Sequence, residues 1–104
     1  MGNLIYGAPG VDIPLDDRAL LHLRVVVLAK LRRDEKFALS WEDEVTGRSH
    51  TIWLHPAIPL QFVLDATTNA SLNRHWIEQL TAVANSGSGL RLLPEPLAEP
   101  AAIA

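Results

Sequence analysis

Cysteine is absent from the 104 residues, which excludes disulfides, thiolate metal sites and a cysteine nucleophile, and leaves the redox character of the compartment open. No apolar run approaches the ~20 residues of a membrane span. The opening MGNLIYGAPG carries neither a cationic segment nor a long apolar stretch, so export and membrane insertion are disfavoured and the cytoplasm is the default expectation. The glycine clusters GAPG and GSG lack the G-x-G-x-x-G and Walker A spacings that aim backbone N–H groups at phosphate. No serine stands in a G-x-S-x-G elbow, so a hydrolytic triad has no support. Lys and Arg number 9 against 12 Asp and Glu, a formal charge of −3 that is ordinary for solubility and is not a nucleic-acid footprint. No cofactor, metal or catalytic residue is indicated.

What is present is apolar surface. Hydrophobic residues make up 48% of the chain. A chain of this length buries ~65% of its unfolded surface in one core, so a second domain is not expected. The patterns outline an α+β fold in the order ββαβββαβ, a mostly antiparallel sheet of five or six strands with two helices. Leu4 to Tyr6 and Val11 to Leu15 flank the Pro9-Gly10 turn as a hairpin. Asp16 is placed to cap a helix from about Asp17 to Arg33, with Leu15 and Leu20 as a staple and Lys30, Arg32 and Arg33 complementing the dipole at its end. Val25-Val26-Val27 argues for a strand instead, but the length of the run and its terminal charges favour the helix.

Phe37, Leu39 and Trp41 alternate ahead of the Thr46-Gly47 turn, and a second run passes through Ile52 and Leu54. After Pro56 and Pro59, Leu60, Phe62 and Leu64 are expected as the third strand of the same meander. Thr67 to Ser71 supply capping residues for a second helix with the stripe Leu72, Trp76, Leu80 and Val83, stopped by Gly87 and Gly89. Leu90 to Leu93 reads as an edge strand. The domain is thus expected over residues 1–93, and the Pro/Ala-rich segment 94–104 as a flexible tail.

The first helix is hydrophobic on two sides. Leu20, Leu23, Val27 and Leu31 form one face, and Leu21, Val25, Leu28 and Ala29 another. Either the N-terminal hairpin covers the second face or a second copy does. The expectation for the latter is a homodimer through Leu21, Val25 and Leu28.

Lys30, Arg32, Arg33 and Lys36, with Arg48 and Arg74, are the candidate anion or nucleic-acid patch. Asp34, Glu35, Glu42, Asp43 and Glu44 are interleaved with them, which favours solvated ion pairs. Trp41 and Trp53 could stack bases, although alternating tryptophans in a hairpin are more often cross-strand core partners. His22, His50, His55 and His75 fall at no metal-ligand spacing. A motif-free catalytic site near His55, Arg33 and Arg74 is the weakest reading.

The segments DDRALLHLRVVVLAKLRRDEKFALSW, WLHPAIPLQF, LNRHWIEQL and GLRLLPEP, with the opening MGNLIYG, resemble a family of small actinobacterial proteins of unknown function. Proteins of that kind are often labelled ATP-dependent DNA ligase, which would imply a nucleotidyl-lysine mechanism. Neither Lys30 in KLRR nor Lys36 in KFAL begins the K-x-D-G motif such a mechanism needs, and the chain is too short for an adenylation domain. The label is therefore uninformative about catalysis and leaves open only a loose association with DNA-processing proteins. The residues themselves favour a non-catalytic interaction or regulatory module that self-associates through the first helix, with a nucleic-acid accessory role using the Lys30 to Lys36 cluster as the alternative.

Overall fold

The computed structural model describes residues 2–65 and 71–97. Strands β1 (Gly2–Tyr6) and β2 (Val11–Leu15) pair antiparallel, with Leu4 opposite Ile13 and Gly2 opposite Leu15. Period-two alternation turns Leu4, Ile13 and Leu15 to one face, and all three are buried. Helix α1 (Asp17–Arg32) starts at the Asp16 cap, whose carboxylate accepts from Ala19 N at 3.2 Å. It ends in a Schellman motif: Glu35 N donates to Lys30 O at 3.1 Å and Asp34 N to Leu31 O at 2.9 Å, with Asp34 at φ 62 in the left-handed position. The three valines lie inside this helix. Caps at both ends and burial of Val26 and Val27 outweigh the modest propensity cost of β-branching.

Strands β3 (Phe37–Asp43) and β4 (Arg48–Leu54) form the second hairpin, with Phe37 opposite Leu54 and Trp41 opposite His50. Strand β5 (Leu60–Val63), helix α2 (Arg74–Ala84) and β6 (Leu90–Arg91) complete the order ββαβββαβ.

The fold is α+β, but one sheet of five or six strands is not formed. There are two three-stranded sheets, ordered β2-β1-β5 and β4-β3-β6. Strand β5 does not extend the β3–β4 meander. The turn closed by Ile58 N to His55 O directs the chain back to the N-terminal hairpin, where Gly7 N bonds Pro59 O at 2.9 Å and Leu4 pairs with Phe62. The last strand also departs from a purely antiparallel pattern, since β6 runs parallel to β3. The Tyr6 hydroxyl donates to the carbonyl of Trp53 and ties one sheet to the other.

The two sheets and two helices share one core, in which Leu4, Leu20, Leu23, Leu39, Leu54, Leu80 and Leu90 are fully buried. His22 meets Asn73 and Lys30 meets Asn85, so α1 and α2 lie side by side and run in the same direction. Helix α2 begins later than expected, with Asn73 as its cap through a 3.2 Å bond to Trp76 N. Leu72 therefore precedes the helix and is exposed. Thr67, within the stretch read as capping, lies outside the described residues, as do 98–104 of the tail.

Candidate functional site

After β6 the chain makes one more bond to β3, Leu92 N to Ser40 O at 2.9 Å, and then departs. Pro94 has no N–H with which to continue the ladder. Residues 92–96 become a strap held from two helices. Trp76 Nε1 donates to Leu93 O at 3.0 Å, and Asn73 Nδ2 donates to Glu95 Oε2 at 3.1 Å and to Pro96 O at 3.0 Å. The Arg18 guanidinium grips the Glu95 carboxylate with two bonds, Nε at 3.1 Å and Nη2 at 2.7 Å. Glu95 and Pro96 belong by sequence to the expected tail, yet both are bonded to the domain.

His22 stands behind this arrangement. Its ring is completely buried and lies 4.5 Å from that of Trp76. Nδ1 is 2.8 Å from Arg18 O, which can only accept, so Nδ1 carries the proton. Nε2 then accepts from Asn73 N at 2.8 Å. One imidazole thereby positions the residue that both caps α2 and holds the strap.

The Arg18 bonds, joined by that of Asn73, hold the Glu95 carboxyl down at about 2. A depressed carboxylate stabilises the fold above its unfolded value and loses that contribution as pH falls through the folded value. The window for Glu95 therefore runs from about 4.5 down to about 2. Both side chains are about one-third exposed, which limits the contribution to ~1 kcal/mol. Glu95→Gln is expected to melt lower than the wild type at neutral pH, with the difference vanishing near pH 2. Parallel melting curves across this range would contradict the assignment.

Between the strap, β3, β4 and the start of α1 lies a cleft of about 750 Å³. Trp41, Trp76 and Leu93 supply apolar walls, while Asp16, Glu42, Glu44 and Glu95 outnumber Arg91. Its volume falls in the ~300–1,000 Å³ range of ligand sites.

The expected cation patch is not assembled. Lys30 is buried, its Nζ bonding Glu35 Oε1 at 2.8 Å and Asn85 Oδ1 at 3.1 Å, 5.2 Å from the centre of the Phe37 ring. Arg33 Nε takes the other Glu35 oxygen at 2.9 Å. These contacts, the Lys30 bond first, hold the Glu35 carboxyl below its usual range. Arg32 and Lys36 are exposed nearby. Arg74 sits at the opposite end of α2, ~16 Å away at 1.5 Å per residue. Arg48 lies at the far end of the hairpin, ~20 Å along β3 from Phe37. The same separation of Arg74 keeps Arg33, His55 and Arg74 from forming one site.

The expected association residues are also divided. Leu21 is buried at 6% exposure, whereas Val25 and Leu28 retain 37% and 40%. The tryptophans are not cross-strand partners. In the observed register Trp41 shares the core face with Leu39 and Ile52 and stacks on His50, while Trp53 lies opposite Ala38 on the other face and is 57% exposed. No group of three or more potential ligands able to hold a metal occurs among the described residues. No helix there is long and apolar enough to cross a membrane.

His22, Asn73, Arg18 and Glu95 were not singled out as site residues from the sequence. The only local signals are a histidine interrupting the apolar run Leu20 to Leu23 and an asparagine, a strong N-cap, ahead of the α2 stripe. No curated protein and no solved structure matches the chain. The helices, hairpins and strap described here lie almost wholly within residues 1–95, which match the family model described as Domain of unknown function (DUF7882), and the chain belongs to that family.

Proposed function

We propose that this protein is a non-catalytic interaction module of the cytoplasm that self-associates through α1. The observation that carries the reading is the exposed pair Val25 and Leu28, one turn apart on a helix whose other apolar residues are largely buried. The most conspicuous polar groups are occupied in holding the fold: His22 and Asn73 position α2 and the strap, Lys30 and Arg33 share Glu35, and Arg18 holds Glu95.

Leu21, one turn before Val25 on the same helix, is buried and does not itself contribute free surface. At ~1.5–3 kcal/mol for full burial of such a side chain, covering the exposed portions of Val25 and Leu28 on two copies yields only about 2–5 kcal/mol. Association costs at least ~4 kcal/mol. The pair by itself therefore does not hold a dimer, and one populated at millimolar concentration must also bury the exposed surface around it, Ala29 included. Light scattering over a concentration series should show the wild-type mass rising towards that of a dimer, while Val25→Glu/Leu28→Glu stays monomeric with an unchanged circular dichroism spectrum. A wild-type mass that remains monomeric at ~1 mM, where about 4 kcal/mol of net affinity would already populate a dimer, would remove self-association.

Nothing favours the nucleic-acid alternative. The six cations do not converge, and acidic groups predominate around the cleft.

A further inference from the structure

We propose that the cleft beside β3 receives an extended segment of a partner protein carrying a lysine or arginine, which adds as a strand to the open stretch of β3. The backbone supplies the first reason. Ser40 O accepts from Leu92 N, so it points away from β4 and towards the strap. Strand alternation turns the N–H and C=O of Glu42 to the same side. A parallel continuation of β6 would present residue 94 to the Glu42 carbonyl, but that residue is Pro94. Strand β6 reaches only Leu39 and Ser40, and among the described residues no backbone bond joins Glu42 to the strap. An extended peptide can supply the missing donor and acceptor, which is the chemistry of strand addition.

Side chains specify the occupant. Successive residues of an added strand alternate between the two faces of β3. One face presents Ser40 and Glu42 with Ser49 and Thr51; the other carries Trp41, which lines the cleft together with Trp76. Of the four carboxylates around the cleft, Asp16 caps α1 and Glu95 is neutralised by Arg18. Glu42 and Glu44 have no ion pair among the described residues. Arg91 lies beside Ser40, so the negative potential is concentrated at the Glu42 and Glu44 end. A basic side chain facing that end and apolar neighbours facing Trp41 and Leu93 match the two faces in charge and hydropathy.

The test is selection from a positional-scanning library of capped hexapeptides by the full chain, followed by amide chemical-shift mapping with the selected peptide. Enrichment of Lys or Arg at one position with apolar residues on either side is expected, together with shifts at Glu42 and Leu93. The doubly substituted variant Glu42→Gln/Glu44→Gln should lose the basic preference by roughly fivefold while keeping the apolar one, as suits a solvent-exposed ion pair. Both residues are exposed, so the variant retains its fold. Absence of any enrichment, selection of acidic residues, an unchanged basic preference in the variant, or shifts confined to another surface would each overturn the proposal.

Discussion

Replacing His22 by alanine is expected to lower stability by about 3–4 kcal/mol and to loosen the strap along with the start of α2. Two effects add. The first is the cavity left by a completely buried ring in contact with Trp76, comparable with truncation of other large core side chains. The second is the loss of an acceptor for Asn73 N, a buried donor whose orphaning alone costs about 1–3 kcal/mol. For a domain of this size the melting temperature should fall by roughly 12–30 °C. His22→Leu separates the two contributions, since it restores much of the volume but none of the hydrogen bonding, and should recover only part of the loss. If His22→Leu were as stable as the wild type, the hydrogen bonds through His22 would not be what holds Asn73. Near-ultraviolet dichroism of Trp76 offers a local readout in both variants.

Gly89→Ala should be the most damaging of the glycine substitutions around the two turns, at about 2–4 kcal/mol. Gly89 sits at φ +83, where an L-residue is strained by ~1–2 kcal/mol, and its added Cβ would lie 2.8 Å from the carbonyl oxygen of Ala38. That oxygen belongs to β3, so relief requires moving β6 off the sheet. Two nearby glycines calibrate the effect. Gly47 has φ +71 but open space, so its alanine variant should cost only the backbone strain, ~1 kcal/mol. Gly87 has neither constraint, and Gly87→Ala should be neutral or slightly stabilising through the unfolded chain. Chemical denaturation of the three variants would order them. A Gly89 variant no worse than the Gly47 variant would mean that β6 is not held against β3 in solution.

Both results bear on function because His22 and Gly89 lie behind the two walls of the same cleft. His22 holds the strap through Asn73, and Gly89 delivers β6 to the edge of β3 just before Pro94 ends the ladder. Neither residue lines the cleft. Loss of either would change binding there without changing the groups that would touch a ligand.

Much of the local architecture was legible in the residues themselves. Asp16, the terminal charges and the length of the apolar run define α1 to within a residue of its observed end. The alternation in Phe37 to Trp41 and in Ile52 and Leu54 defines the second hairpin. These signals are visible because capping, turn chemistry and periodicity act between residues close in sequence. The parallel pairing of β6 and the return of β5 to β1 were not visible, since an apolar strand carries no record of which edge it joins. The placement of the candidate patch was not visible for a related reason. Six cations can be counted in a sequence, but only the tertiary structure decides that Lys30 turns inward to Glu35 and Asn85 while Arg74 stands a helix length away.

The sequence by itself determined the kinds of element, their order, the absence of thiol chemistry, and a helix with more apolar surface than one face can bury. Tertiary structure alone decided that Leu21 goes inside while Val25 and Leu28 stay out, that His22 becomes the acceptor for a residue 51 positions away, and that a strap closes one side of a cleft. The physical reason is that elements are specified by contacts within a few residues, whereas a site is specified by contacts between segments whose meeting depends on how the whole core is filled.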